Sequence, residues 1–271
     1  MPASSYTYAL ATGEKAAQRL ALVQRVYGPD AERLLDTIGI AEGQRVLDVG
    51  CGTGAMLPWL AGRVGQRGRV VGLDASADQL AVARRQCEAL GLSQVSFVAA
   101  DVYATGLPAD QFDLAHCRLL LCHLQKPEIA IAEMARVVRP GGFVVCLDVD
   151  LEGLFSIPET DCYRQMREIF VRRRTLDGLD SRLGLKLPEM MRGAGLADPQ
   201  MAFIHPVYFR GEEKRLWEYS FAESAGRTLE RGLLGPEALE ALLQELAAVG
   251  ADERIAAVQA TMPVCWARKV G

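Results

Sequence analysis

An α/β fold, with a mostly parallel sheet covered by helices on both faces, is the fold class that the sequence predicts. Between residues 41 and 150, short apolar strands alternate with helical segments, which is the order typical of parallel sheets. A buried strand in the stretch VLDVGCGTG, residues 46–54, runs directly into three glycines at alternate positions. The chain of 271 residues is long enough for one such core plus a cap.

The first elements are helical. Apolar residues recur at helical spacing over residues 16–26, and the pair Gly28 and Pro29 predicts the end of that helix. A second helix is expected over about 30–38. The alternating part then predicts a strand at 45–49, a helix from about 55, a strand at 69–74, a helix at 76–90, strands at 95–101 and 112–117, a helix at 127–138 and a strand at 142–149. The RPGG sequence before this last strand predicts a break, because proline and glycine do not continue a helix.

Beyond Asp150 the pattern changes to helical insertions and late strands. We expect a long helix at 158–175, a short helix at 187–194, a strand at about 201–209, a helical segment at 212–250 and a strand at about 262–269. The two late strands predict a sheet that ends in a hairpin-like pair.

Three regions follow from this pattern. They are a helical cap segment at 1–40, a core at 41–150, and the remainder of the core at 151–271 with helical lid insertions at about 155–185 and 210–258. The connections in the third region are too long for simple links, and such insertions commonly cover sites at the carboxyl ends of strands. We therefore expect a large capped cavity.

Charge and composition favour a small-molecule partner. The net charge of −4 gives no general attraction to nucleic acid or to an anionic membrane, because phosphate binding depends on clustered lysine and arginine. The longest apolar runs have strand length, and the first residues, MPASSYTY, lack the basic and apolar regions of a signal peptide. We expect a cytoplasmic protein that binds a small molecule, and a homodimer is left open.

The seven cysteines predict reduced, buried thiols. Their number is odd, their spacing is scattered, and they include no CxxC pair and no histidine at metal-ligand spacing. No metal ion is therefore expected.

The glycine turn after the first strand predicts a nucleotide ligand. At Gly50, Gly52 and Gly54 no Cβ keeps a ligand away from the backbone, and glycine tolerates the positive φ that such a turn needs. One alternative is a dinucleotide whose pyrophosphate sits on the following helix N-terminus. The other is an adenosyl ligand that carries no phosphate.

Five segments in order resemble the class I S-adenosylmethionine (SAM) dependent methyltransferases. They are VLDVGCGTG, VVGLDAS, FVAAD, FDLAHCR and RVVRPGGFVV, and together they cover most of residues 30–150. The resemblance implies a Rossmann-like, seven-stranded sheet, SAM as cofactor and S-adenosylhomocysteine as product. Gly50, Gly52 and Ala55 also fit the dinucleotide form GxGxxG/A, but the five ordered motifs favour SAM.

The resemblance places adenosine contacts at the ends of the second and third strands. Asp74 is positioned to accept hydrogen bonds from both ribose hydroxyls. Ala75 and Gln79 follow it and are expected to contact adenosine. Asp101 is expected to accept from the adenine amino group while the Val102 amide meets a ring nitrogen, and the alternative for Asp101 is a turn or helix cap.

The methionyl end of SAM is expected near the first and fourth strands. Gly50, Cys117 and Arg118 are the candidates, and Arg118 either pairs with the SAM carboxylate or points to solvent. Asp48, two residues before Gly50, is expected to brace the glycine turn.

The segment YTYALATGEKAAQRLALVQ resembles the helix that precedes the core in bacterial small-molecule methyltransferases. In those enzymes an aromatic residue and a Gln or Arg close over the cofactor, which makes Tyr8, Arg19 and Gln24 candidates here. The alternative is a surface helix with ordinary polar residues.

His123, in the LLLCHL run after the fourth strand, is the candidate catalytic residue. It is expected where the cleft opens and has the titration range of a general base, although methyl transfer needs a base only when the acceptor proton must leave. The alternative is a packed, hydrogen-bonded histidine. His116 is expected to be structural, and His205 is a second candidate for the substrate pocket.

A row of arginines marks the long helix of the first insertion. They stand at 164, 167, 172, 173 and 174. One interpretation is that these arginines bind an anionic substrate. The preferred interpretation is that they form the solvated face of the helix.

Together these residues predict a methyltransferase of small molecules, with an O, N or C acceptor and a role in secondary metabolism. No NPPY-like tetrapeptide follows the fourth strand, which disfavours the DNA and protein-glutamine enzymes, and the LLLCHL and RPGG segments resemble the group that includes the ubiquinone and menaquinone C-methyltransferases. A cyclase or pericyclic enzyme that binds SAM on the same fold without methyl transfer is one alternative. An NAD-dependent oxidoreductase is the other.

Overall fold

The computed structural model describes residues 14–271, and their side chains from residue 19 onward. Within these residues ten strands form: β1 Arg45–Val49, β2 Arg69–Asp74, β3 Val95–Ala99, β4 Phe112–Arg118, β5 Val138–Leu147, β6 Phe155–Ile157, β7 Leu196–Ile204, β8 Val207–Tyr208, β9 Ala256–Val258 and β10 Met262–Lys269. The α-helices of the same part of the chain are α1 Glu14–Ile38, α2 Leu57–Val64, α3 Ala77–Ala89, α4 Pro127–Val137, α5 Asp161–Leu176, α6 Leu187–Gly193, α7 Leu216–Glu223, α8 Ala225–Glu230 and α9 Pro236–Ala251.

Seven of the strands form one sheet in the order β3-β2-β1-β4-β5-β10-β7. The five from β3 to β5 are mutually parallel, and β10 runs antiparallel between β5 and β7. The predicted seven-stranded, mostly parallel sheet is thus confirmed. Its carboxyl ends on β1, β2, β3 and β4 lie side by side, which is where a parallel sheet places its ligand site.

Helices cover both faces of this sheet because its side chains alternate between two cores. On β1, Leu47 and Val49 enter one buried cluster and Val46 enters the other. The first cluster includes residues of α4, α5, α6 and α9, and the second includes residues of α1, α2 and α3. Helices α1 to α3 therefore pack on one face of the sheet, and α4, α5, α6 and α9 pack on the other.

The N-terminal helix differs from the prediction of two helices. α1 continues through Gly28 and Pro29, although proline removes one backbone hydrogen bond from the ladder. Burial on both sides of this point explains the continuity, because Tyr27 and Leu35 are both fully enclosed and the Tyr27 hydroxyl donates to the Ala260 carbonyl at 2.9 Å. Tertiary packing therefore outweighs the local stop signal.

The strand bounds differ from the predicted bounds in two places. β5 begins at Val138, so the RPGG sequence lies inside the strand as an irregularity, and a Cβ on Gly142 would lie 2.6 Å from the Asp113 carbonyl oxygen. The late strand predicted at about 201–209 begins earlier, as β7, and ends before His205 and Pro206. Val207 and Tyr208 belong instead to a second sheet, β6-β9-β8, that the sequence pattern did not indicate.

The described part of the chain contains no helix that is both long and apolar enough to cross a bilayer. All seven cysteines are buried and unpaired. Among the same residues, no cluster of histidine, cysteine or acidic side chains has the arrangement of a metal site.

Candidate functional site

A cleft of about 600 Å³ lies at the carboxyl ends of β1, β2, β3 and β4. Each strand contributes residues at its carboxyl end or in the loop that follows it. The glycine turn closes one side, Asp74 and Asp101 line another, and Arg118 stands at the end of β4. The predicted motifs therefore meet in one cavity.

The glycine turn has the conformation that its sequence predicts. Gly50, Gly52 and Gly54 have φ of 68°, 56° and 87°, a region that L side chains rarely adopt. A Cβ on Gly50 would lie 2.8 Å from the Leu120 Cδ1 atom. Gly50 and Gly52 line the cleft, whereas Gly54 lies against α3, where a Cβ would meet the Ala83 Cβ at 3.0 Å. Gly54 therefore serves packing beneath the turn rather than the expected direct contact with the cofactor.

The Asp74 carboxylate connects the glycine turn to the start of α3. Its Oδ2 atom accepts from the Gly52 amide at 2.9 Å and its Oδ1 atom accepts from the Ser76 amide at 2.8 Å. An ionised carboxylate offers about four acceptor positions, so two remain for a diol. Burial raises the pKa of Asp74, which the two amide bonds partly oppose. The side chain is thus held in place beside the cleft with acceptor capacity to spare.

The adenosine candidates also line the cleft. Ala75, Gln79 and Val102 lie along its wall with Asp101. Asp101 uses its Oδ1 atom to accept from the Tyr103 amide at 2.9 Å, so the turn-cap alternative is realised in part. Since a carboxylate has a second oxygen, the cap and a contact to adenine are compatible.

Asp48 and His116 form a buried pair on neighbouring strands. They stand opposite each other in the β1 and β4 register, and the Asp48 Oδ1 atom lies 2.8 Å from the His116 Nδ1 atom. Asp48 therefore orients His116, in place of the expected bracing of the glycine turn. The His116 Nε2 atom is buried, borders the cleft side of the sheet and has no hydrogen-bond partner among the described residues.

Arg118 is half-buried at the cleft and is held by a chain of polar contacts. Its Nη2 atom donates to the Gln24 Oε1 atom at 2.7 Å, and the Gln24 Nε2 atom donates to Glu32 at 3.1 Å. Burial lowers the pKa of Arg118. The Nη1 atom is buried without a partner in the part of the chain that the structure describes, so a carboxylate in the cleft would satisfy it. The solvent alternative for Arg118 is therefore wrong.

Three other candidates lie elsewhere than expected. Cys117 is fully buried with its side chain in the core, since alternate β4 residues face away from the cleft. Gln24 acts on Arg118 and is absent from the cleft lining, so it positions a neighbour. His205 lies outside both described cavities and contacts the Gly153 carbonyl oxygen through its Nε2 atom at 2.8 Å. Tyr8 lies outside the described residues.

A second cavity of about 140 Å³ adjoins the cleft. The two share four lining residues, which are Leu20, Val23, Leu119 and His123. Residues of α1, α5, α7 and α8 enclose it, so the insertions form a compartment beside the cofactor cleft. Arg19, expected over the cofactor, lines this second cavity and pairs with Glu223 at 2.7 Å.

His123 lies at the junction of the cleft and the second cavity. Burial, together with the guanidinium groups of Arg174, Arg19 and Arg227, lowers the pKa of His123 to about 3. The imidazole is therefore neutral at physiological pH in the ligand-free protein. A group with so low a pKa is a weak general base until a neighbouring negative charge raises it.

His123→Gln is expected to reduce the loss of stability on acidification. Because the folded pKa of about 3 is below the ordinary value of 6.5, the unfolded chain takes up the proton first and the folded state loses stability as the pH falls from 6.5. Between pH 6.5 and pH 5 the variant should lose about 1.5 kcal/mol less free energy of unfolding than the wild type. Denaturant unfolding at the two pH values measures this. Parallel curves for the two proteins would exclude a depressed pKa for His123.

Several lining residues carry no motif in the sequence. Leu20 and Val23 of α1, Leu119 and Leu120 after β4, and Trp217 of α7 form apolar walls. The helical spacing at 16–26 indicated the inward face of α1, but nothing in the sequence indicated that this face would border a cleft.

Comparisons with known proteins agree with this geometry. A family model for a methyltransferase domain matches residues 46–142. The demethylmenaquinone methyltransferase of Bacillus cereus is 35% identical over 124 residues, which cover 46% of this chain and 51% of that protein. Residues 46–142, which the family model matches, contain the glycine turn, the carboxyl ends of β1 to β4 and most of the cleft.

Solved structures share the fold over most of the chain. A Bacillus halodurans protein described as a methyltransferase has a TM-score of 0.58 at 23% identity, covering 89% of this chain and 99% of that one. The [4+2]-cyclase SpnF has a TM-score of 0.54 at 24% identity, covering 89% of this chain and 82% of that one. At these identities the likeness shows the fold alone. The chain spans 51% to 61% of the length of the first curated relatives that it matches.

Proposed function

We propose that this chain, whose residues 46–142 match a family model for a methyltransferase domain, transfers a methyl group from SAM to an O, N or C atom of a small-molecule acceptor. The acceptor occupies the second cavity. The unpaired, buried cysteines favour a reducing compartment, so the proposal includes a cytoplasmic location. A role in secondary metabolism is part of the same proposal.

The observation that carries this proposal is the agreement between the cleft and the parts of SAM. Asp74 has two acceptor positions left for the ribose diol, and Arg118 has one buried donor left for a carboxylate. Gly50 and Gly52 let a ligand approach the backbone between them. When bound, SAM supplies a methyl group on a cationic sulfur. These residues hold the ends of the cofactor, and the apolar walls exclude water from the space between them.

His123 is the proposed base for acceptors that must lose a proton. It borders both cavities, so it lies between the cofactor cleft and the acceptor. Burial, and after it three cationic neighbours, lowers the pKa of His123 in the ligand-free protein. An acceptor that neutralises these cations would remove their part of the shift and so make His123 a stronger base.

A cyclase that binds SAM without methyl transfer is the second candidate function. The specific observation in its favour is that a [4+2]-cyclase has the same fold over 89% of this chain. An enclosed apolar compartment beside the cofactor cleft would serve either reaction. The fate of the methyl group distinguishes the two.

Transfer of a labelled methyl group tests the proposed function. The protein is incubated with SAM carrying a labelled methyl group and a panel of small phenols, amines and quinones. We expect label in one class of acceptor and S-adenosylhomocysteine in equal molar amount. Product formed without S-adenosylhomocysteine would replace methyl transfer with the cyclase function, and absence of label from every acceptor class would count against transfer to small molecules.

A further inference from the structure

Besides the ion-paired Arg19, three arginines from two helices line the second cavity. Arg173 and Arg174 of α5 are half-buried there, as is Arg227 of α8, whereas Arg164 and Arg172 of α5 are exposed. The expectation of a solvated arginine face therefore holds for the exposed pair only. The helix is amphipathic, but two of its cations turn inward.

These three cations have no acidic ion-pair partner in the part of the chain whose side chains are described. Arg173 donates to the Ser224 carbonyl at 3.3 Å and Arg174 donates to the Cys122 carbonyl at 2.7 Å, and both carbonyls are uncharged. Among the side chains of residues 19–271, no carboxylate forms an ion pair with Arg173, Arg174 or Arg227.

The nearby acids are engaged elsewhere. The buried Asp148 carboxylate, on which one of these arginines acts at longer range, accepts from two backbone amides at 3.0 and 2.8 Å, and two other acids are held in ion pairs. Glu223 pairs with Arg19 at 2.7 Å, and the carboxylate of Asp177, which lines the cavity, pairs with Arg231. Each pair is neutral as a unit, so the cavity retains an excess of positive charge.

The electrostatics of Arg173 show the effect of this excess. Burial, followed by the charges of Arg174 and Arg227, lowers the pKa of Arg173 to about 10, and Asp177 opposes this only in part. Grouped charges in a low-dielectric compartment repel one another, and an anion placed among them relieves that repulsion.

The remaining walls are apolar and aromatic. Phe170 and Trp217 meet edge to face at a centroid distance of 5.5 Å, and Leu216 and Met262 complete this side. A cavity near 150 Å³ can hold one six-membered ring. The compartment of about 140 Å³ thus suits a compact apolar body with one charged group.

We propose that the second cavity recognises an anionic group of the acceptor, a carboxylate or a phosphate, through Arg173, Arg174 and Arg227. The inference rests on the proposed function, because it assigns the acceptor class to that site. Guanidinium groups bind both oxyanions through paired N–H donors. The arginines line only the second cavity and His123 borders both, so the charged group lies on the far side of His123 from the cofactor cleft.

Calorimetry with three ring compounds tests the proposal. The protein is saturated with S-adenosylhomocysteine and titrated at constant ionic strength with benzoate, phenyl phosphate and benzamide, which share one ring. We expect at least one anion to bind roughly tenfold or more tightly than benzamide. Tight binding of benzoate alone would identify the anionic group of the acceptor as a carboxylate. Tight binding of phenyl phosphate alone would identify it as a phosphate. Equal affinity for all three compounds would overturn the proposal.

Matched variants locate the anion. Arg173→Gln and Arg227→Gln should each remove most of the preference for the anion, whereas Arg172→Gln, an exposed neighbour on the same helix, should keep it. Unfolding temperatures and S-adenosylhomocysteine affinity show that each variant folds. An unchanged preference in both folded cavity variants overturns the anion site. Failure of the wild type to bind S-adenosylhomocysteine would instead contradict the proposed function.

Discussion

Asp74→Ala is expected to weaken SAM binding by one to two orders of magnitude, about 1.5–3 kcal/mol. The variant removes both acceptor positions that remain for the ribose diol. It also releases the Gly52 and Ser76 amides, which the carboxylate holds at 2.9 Å and 2.8 Å. Calorimetric titration with SAM measures the change in affinity.

Asp78→Ala is the matched control for this loss. Asp78 is an exposed acid in the first turn of α3, only four residues from Asp74, and lies outside the cleft lining. Its removal takes away the same charge from the same region. The affinity for SAM should stay within about twofold of the wild-type value, as expected for an exposed charge. Equal affinities for wild type and the Asp74 variant would mean that the ribose lies elsewhere.

Gly50→Ala is expected to weaken SAM binding at least tenfold and to lower stability. At φ of 68° an added Cβ costs about 1–2 kcal/mol of folding free energy. The same Cβ would lie 2.8 Å from the Leu120 Cδ1 atom, at a turn that lines the cleft. Leu120, which itself lines the cleft, must then shift, and the added methyl group occupies space at the turn, so affinity should fall at least tenfold.

Gly91→Ala is the control that separates the effect of backbone strain on stability from the effect of ligand contact on SAM binding. Gly91 has nearly the same φ, 67°, and a Cβ there would meet no atom within 4 Å. We expect a similar loss of unfolding free energy in the two variants, measured by chemical denaturation, but unchanged SAM affinity for Gly91→Ala. If the two variants bound SAM equally well, the turn would not be a binding element.

The core and half of the cleft could be predicted because their signals are local. The glycine turn and the acids at positions 74 and 101 directly follow short apolar strands. In a parallel sheet the carboxyl ends of neighbouring strands meet, so these residues had to lie close together. No long-range information was needed for that step.

The second cavity could not be predicted because its contacts join distant parts of the chain. Arg19 meets Glu223 across more than half of the sequence, and Gln24 meets Arg118. Local patterns do not state which insertion folds over which face. One signal was present, since positions 173 and 174 follow the buried Phe170 by three and four residues and so share its side of α5.

Local signals also failed where packing opposed them. Gly28 and Pro29 form a strong stop signal, yet α1 continues because the residues on both sides of the pair are buried. The RPGG sequence similarly remains within β5, where pairing with β4 resumes after a shift of register. In both cases tertiary contacts outweigh a propensity of about 1–3 kcal/mol.

The central claim, that the cleft at the ends of β1 to β4 is a SAM site, is tested most directly by titrating the wild-type protein with S-adenosylhomocysteine and, separately, with NADH. We expect S-adenosylhomocysteine to bind with one site per chain and NADH to give no saturable heat at the same concentrations. Saturable binding of NADH with none of S-adenosylhomocysteine would contradict the account.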